Sequence, residues 1–461
     1  MTLPPASEPS GVDEHTTVAH GGVAGAARSP MVRSAIARGL SFVPTAIATL
    51  LTSRLIISEF GLTSFNSYAL VLSMMALLPV NKLGVGAALT QAYASEGPLA
   101  EHSARVTLTA ARVLTVSSLT TAIVALLLGA LGLWETLLGA ASGPDMWCGV
   151  AVAVYAISFL PGLSVNMLLG VHRNDTTIVI QIAFVPLILL GAYLASVLGM
   201  SGDSLMVLPS ASLVIINVIT AVVAARATGV SWSTMILRIP GVRSHPGASI
   251  KALAGPMVIA QLTVPIAVQS DRIVLSHVST EVALASYTIA VQIFAPVLAL
   301  VSAAALPLWP IYTAARSKGE TGPRLSTVVS AFALLAAVLC AVLIVLADPL
   351  GSFIGAGRVE LGWILPIAAA LSVLVQVISF PLAMYLMDAP GVRFTAIVNV
   401  LALPVNIGLT IIFAQQLGAP GPLFATAVSG LVMLIIPALI YIRRRKRTDP
   451  AGPSVVLPTV D

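Results

Sequence analysis

Four ionisable side chains stand inside the apolar stretches of a chain that is only 9% charged: Arg54, Lys82, Asp271 and Arg272. A charge near the centre of a bilayer costs at least ~2.5–3.5 kcal/mol on insertion scales, so it usually faces a cavity or a partner. Arg38, Arg112, Arg226 and Asp348 also interrupt such stretches. They lie within about two turns of a helix end, where they can reach water. Three of the four deep groups are cations, and a dry cavity with excess positive charge attracts phosphate or carboxylate rather than a cationic cargo. Asp271 is the one deep carboxylate. It adjoins Arg272 but points about 100° away from it around a helix, so the two cannot simply neutralise each other. Either Asp271 pairs with another helix, or it stands alone and can be protonated.

Depth separates the cations. Arg54 and Arg272 lie about 5 Å from their helix ends, at 1.5 Å per residue, and both can snorkel to headgroups. Lys82 is about 21 Å along its helix from Tyr68, with Asn81 beside it. Gln261, Pro265 and Arg272 share one helical face, which is polar and kinked as a cavity wall would be. Arg54, Lys82, Arg272 and Gln261 are therefore the expected anion-binding set. Asn81, Gln269, Asn166 and Asn217 are candidates to line the same cavity, with the bridging of helices as the alternative for the amides.

These residues need helices to hold them in a membrane. With 57% apolar residues the chain has too little polar sequence to cover water-soluble domains. Continuous apolar runs of about 20 residues indicate spanning helices, not alternating barrel strands. Twelve candidates fall at 36–57, 67–93, 106–131, 146–170, 176–199, 205–227, 252–277, 284–312, 325–348, 362–387, 394–416 and 422–442. The expected fold is all-α, with two six-helix bundles about a central cavity. Residues 1–32 form a cytoplasmic tail, 33–229 the first bundle, 230–251 a cytoplasmic linker, 252–443 the second bundle and 444–461 a basic cytoplasmic tail. Arg28, Arg33 and Arg38 before the first run resemble the start of a signal peptide, but the run continues to Ile57 and reads as an uncleaved span.

Twelve spans place both termini on one face. That face collects 19 lysines and arginines, including the run "RRRKR" at 443–447, whereas the opposite face has Arg358 alone. The bias puts the termini in the cytoplasm. It explains the net charge of +5 without nucleic acid. Cys148 and Cys340 fall inside spans, the six histidines are scattered, and nothing forms a zinc, P-loop or Ser-His-Asp motif. The acids outside the spans are isolated in short loops, which argues against an enzyme. No cofactor is expected.

The chain also repeats itself. Ser53-Arg54-Leu55-Ile56-Ile57-Ser58 aligns with Asp271-Arg272-Ile273-Val274-Leu275-Ser276, and Tyr68 and Tyr287 follow at nearly equal distance. Six spans per half give both halves the same topology, as in parallel repeats that rock about a central site. Prolines inside the spans, among them Pro44, Pro161, Pro186, Pro265, Pro296, Pro310, Pro381 and Pro404, free carbonyls and kink helices.

The stretch "SRLIISEFGLTSFNSYALVLSMMALLPVNKLGVGAALTQAYA" and the later "DRIVLSHVSTEVALASYTIAVQI" resemble the openings of the two halves of polysaccharide or oligosaccharide-lipid flippases. These belong to the superfamily that also contains multidrug and toxin extruders. The likeness extends over nearly all of 33–445. It implies a multi-pass protein of the bacterial plasma membrane that flips polyprenyl-diphosphate-linked oligosaccharide between leaflets by alternating access, for surface polysaccharide biosynthesis. Membrane lipid and the lipid-linked glycan are then its ligands, with polysaccharide polymerase and glycosyltransferase enzymes as expected neighbours. The resemblance gives Arg54, Lys82 and Arg272 the diphosphate or acidic sugar, and offers Asp271 to a coupling H+ or Na+. An ion-coupled multidrug or metabolite antiporter of the same superfamily is the alternative.

Overall fold

Proline chemistry is visible in where the helices stop. A proline removes one N–H and clashes with the carbonyl four residues back. Pro161 and Pro186 point back to Ile157 and Ile182, the residues at which α4 (Asp145–Ile157) and α6 (Asn174–Ile182) end. The paths resume as α5 (Phe159–Gly170) and α7 (Phe184–Val197). Pro310 lies likewise just past the gap between α11 (Glu281–Ala305) and α12 (Leu308–Ser317).

The computed structural model describes residues 30–78, 85–241, 243–248, 251–317 and 322–448, with side chains from Phe42 onward except at 251–264, 317, 389 and 446–448. Every regular element among these is helical. The others used below are α1 (Pro30–Leu77), α2 (Val85–Glu96), α3 (Glu101–Ala130), α8 (Leu208–Thr228), α9 (Trp232–Arg238) and α10 (Lys251–Val278), then α13 (Leu325–Ile354), α14 (Ile364–Tyr385), α15 (Ala389–Leu417), α16 (Gly421–Ser429) and α17 (Ile436–Thr448).

Ten stretches among the described residues are long and apolar enough to cross a membrane. The sequence leads to twelve, and the difference has identifiable sources. Helix α1 is broken at Gly61, whose φ of 88° and ψ of 177° only glycine adopts without strain, so Phe42–Leu77 is one stretch holding two helical segments. Helix α10 is 28 residues long but its first half lies outside the described side chains. In α13 the richest window has a mean hydropathy of 3.0 and is only 11% buried.

Within the first half α3 packs on α4 and α8 on α5; within the second, α13 packs on α14 and α10 on α15. Small residues allow the α3–α4 approach: a Cβ at Gly149 would lie 2.8 Å from the Ala125 carbonyl oxygen. The halves meet where α1 touches α10, α11 and α13, and where α10 touches α2. One apolar cluster, with Ile56, Phe65, Tyr68, Leu205, Leu275, Tyr287 and Phe294, runs across this seam. A second cluster, including Leu89, Leu114, Tyr155 and Phe159, draws almost wholly on the first half. The connection between the halves is fastened to the first: Arg112 on α3 donates to the carbonyls of Arg238, Ile239, Gly241 and His245 at 2.9–3.1 Å.

Candidate functional site

Asp271 is 4% exposed inside the second half. Tyr287 on α11 donates its hydroxyl to Oδ2 at 3.0 Å, and Thr410 on α15 donates to Oδ1 at 3.1 Å. Thr426 on α16 lies close to the same carboxylate. Three helices thus surround it with neutral hydroxyls. One turn before Thr410, buried Asn406 donates Nδ2 to Ser429 Oγ at 2.9 Å, while its Oδ1 has no partner. The result is a small cluster of buried oxygens around the carboxylate. Among the described residues no group of three or more His, Cys, Asp or Glu gathers into a metal cluster.

Arg272 points the other way. Its Nη1 donates across the seam to Ser73 Oγ on α1 at 3.0 Å, and Ser73 is fully buried. The guanidinium makes no ion pair among the described residues. Buried Tyr287, Asp271 and Tyr68 all lie within electrostatic range of it. Ser53, the position that aligns with Asp271, donates to Gln292 Oε1 at 2.8 Å. Ser73 and Gln292 each lie five residues past the repeat tyrosine of their own half. Ser53 and Arg272 thus tie α1 to α11 and α10 to α1.

Toward the Gly61 end these ties thicken into a seal. Arg54 donates to the carbonyl of Phe353 in the last turn of α13, and its guanidinium lies 4.1 Å from the centroid of the Phe353 ring. A cation is favourable there, at the negative end of the helix dipole. Arg358 reaches back to the Ser58 carbonyl at 3.4 Å. Thr63 donates to Glu281 Oε2 at 3.0 Å and Asn66 to the Glu281 carbonyl at 2.9 Å. Ser276 donates to the Leu138 carbonyl. Gly139, at φ +88°, permits this approach, since a Cβ there would lie 2.6 Å from the Ser276 carbonyl oxygen. The His277 ring nitrogens face the carbonyls of Ile273 at 2.7 Å and Thr136 at 3.2 Å, and both bonds form at once only when both nitrogens carry protons.

The opposite end of the second half carries a different clamp. Asp388 caps α15 by accepting from Gly391 N at 3.2 Å, and pairs with Arg316 at 3.3 Å and with Arg445. Partial burial alone would raise its pKa. The Arg445 hydrogen bond and charge, the Arg316 charge and the Gly391 N–H outweigh that and hold the carboxyl below its usual range.

The remaining sequence candidates scatter. Asn81, Lys82 and the side chain of Gln261 lie outside the described residues. Gln269 is half-buried. Asn166 packs against Gly86 of α2 and accepts at its backbone carbonyl from Thr90 at 3.3 Å. Asn217 bridges helices, donating to the Ser158 carbonyl at the α4–α5 break at 3.1 Å. Ser73, Glu281, Phe353 and Thr410 are not marked as site residues by their sequence context. Only Ser73 carries a local signal, its register against the repeat tyrosine; the others are recognised by partners 139 to 299 residues distant, or, for Glu281, 215 to 218.

No family model and no curated protein matches the sequence. Solved structures do. An inward-facing multidrug resistance MATE family transporter of the MOP superfamily superposes with a TM-score of 0.67 at 15% identity, covering 91% of this chain and 100% of the other. The lipid II flippase MurJ in an inward closed conformation gives 0.69 at 15% identity, over 89% and 87%. A MOP superfamily transporter from Pyrococcus furiosus, described by the reverse polarity of its binding pocket, gives 0.56 at 14% identity over 91% and 96%. At these identities the likeness establishes a shared fold: this chain has the helical architecture of the MOP transporters.

Proposed function

We propose that this chain is a transporter that works by alternating access and moves a lipid-linked anion, polyprenyl-diphosphate-linked oligosaccharide, across the bacterial plasma membrane. The observation that carries this reading is Arg272, a guanidinium in the seam between the halves whose partner is a serine hydroxyl. A charge held that way remains free to meet a diphosphate when the seam opens. In this reading the chain has twelve spans in two six-helix halves, 33–229 and 252–443, with both termini in the cytoplasm. The sealed Gly61 end is then the outer end. The inward-facing and inward closed structures, which superpose at 0.67 and 0.69 against 0.58 for an outward-facing one, support that orientation.

Lys82 supplies the second cation of the proposed site and Gln261 a polar contact, while Arg54 belongs to the seal. Asp271, with Thr410, Thr426 and the free Oδ1 of Asn406, is the place proposed for a coupling H+ or Na+, because carboxylate, hydroxyl and amide oxygens suit a hard cation. That cluster also favours the second reading, an ion-coupled drug or metabolite antiporter of the same fold.

Reconstitution into proteoliposomes with a polyprenyl-diphosphate oligosaccharide, followed by its accessibility in the far leaflet, separates the two. Flipping that is lost in Arg272→Gln and Lys82→Gln supports the first. Efflux of a cationic dye under an ion gradient, with no flipping, replaces it with the second.

A further inference from the structure

Helices α1 and α7 run side by side toward the Gly61 end, and a surface groove of about 550 Å³ lies between them. Leu51, Arg54, Leu55 and Ser58 form one wall; Pro186, Leu189, Leu190 and Tyr193 form the other. Leu51, Pro186, Leu190 and Tyr193 are exposed, so in a spanning chain the groove opens to lipid. Its chemistry changes with height. The base is apolar, Arg54 stands above it, and the hydroxyls of Ser58 and Tyr193 follow. Just past the lining residues, Ser196 of α7 donates to exposed Glu59 of α1 at 3.3 Å. Arg54 is six residues before Phe60, about 9 Å below that end of the helix, and Glu59 is about 7.5 Å above it along the axis.

We infer that this groove binds a zwitterionic, amine-bearing phospholipid of the phosphatidylethanolamine class. The acyl chain lies along Leu51, Leu189 and Leu190, the phosphate meets Arg54, and the ammonium meets Glu59. Apolar wall, cation and carboxylate succeed one another in the order of tail, phosphate and amine. A purely anionic headgroup would satisfy Arg54 but place negative charge against Glu59, and a soluble anion would have to enter from lipid. The site is separate from the Arg272 seam, and it carries a consequence for the seal. The guanidinium that would hold the phosphate is the one that ties α1 to the end of α13, so lipid occupancy and the Arg54–Phe353 tie compete for the same donors.

Native mass spectrometry of the full-length protein, titrated with phosphatidylethanolamine or phosphatidylglycerol of matched chains, tests this. Wild type is expected to retain phosphatidylethanolamine about tenfold better, a factor worth one decade in Kd. Glu59→Gln is expected to erase that preference, Arg54→Gln to weaken both lipids, and Leu190→Trp, which fills the groove while leaving every charge in place, to displace both. Equal retention of the two lipids by wild type, or retention unaffected by Leu190→Trp, overturns the assignment.

Discussion

Arg54 and Arg272 come from matching sequence contexts and end in different surroundings. Arg272 crosses the seam to a buried serine, whereas Arg54 caps the end of α13 and lines an open surface groove. The residues just before them differ in the same sense. Ser53 makes a single tie to Gln292, while Asp271 is enclosed by hydroxyls from other helices of its own half. Ties cross the seam in both directions, while the charges around the two arginines differ. In the proposed reading one half carries the coupling carboxylate and the inner cation, and the other carries a gate strut.

The largest effect that can break this comparison is on transport. Arg272→Gln should lower flipping at least about tenfold, the scale of a charge-assisted hydrogen bond of ~1.5–3 kcal/mol, and Arg54→Gln by less than about threefold. Equal losses in the two would make the arginines functional equivalents. Next comes stability: Asp271→Ala leaves the Tyr287 and Thr410 hydroxyls buried and unsatisfied, at ~1–3 kcal/mol each. Ser53→Ala removes one neutral tie and should cost only ~0.5–1.5 kcal/mol. Unfolding of the purified variants by heat or denaturant ranks the two, and the reverse order would contradict the assigned roles.

The smallest effect is at the other end of the second half. Asp388 is held below its usual range, so its contribution is fully present above about pH 3.9 and is lost as pH falls through the lower folded value. Wild type should be more heat-stable than Asp388→Asn at pH 7, with the gap closing as the pH drops toward 3. A gap independent of pH would show that the Arg316 and Arg445 pairings contribute nothing through charge.

Much of this architecture is legible in sequence because a bilayer leaves few choices. Apolar run length marks the spans, and Pro161 and Pro186 mark the breaks in α4–α5 and α6–α7 through their missing N–H. The 100° between Asp271 and Arg272 foretells that they serve different partners. The partners themselves are not legible. Phe353 lies 299 residues from Arg54 and Thr410 lies 139 from Asp271, and no local propensity encodes such pairings. Snorkelling distance gave Arg54 and Arg272 the same depth, but depth does not say which way around the helix a side chain points. The bridging role of Asn217 likewise depends on a carbonyl of another helix.

The central claim is that the seal at the Gly61 end opens during transport while each half keeps its own packing. Pulsed electron–electron distance measurement in proteoliposomes, between spin labels at exposed Leu137 of the first half and Val282 of the second, tests it most directly. A single short distance without substrate, joined by a longer population when the lipid-linked oligosaccharide and an ion gradient are present, is the predicted result. A distance distribution that does not change while flipping proceeds would contradict the account.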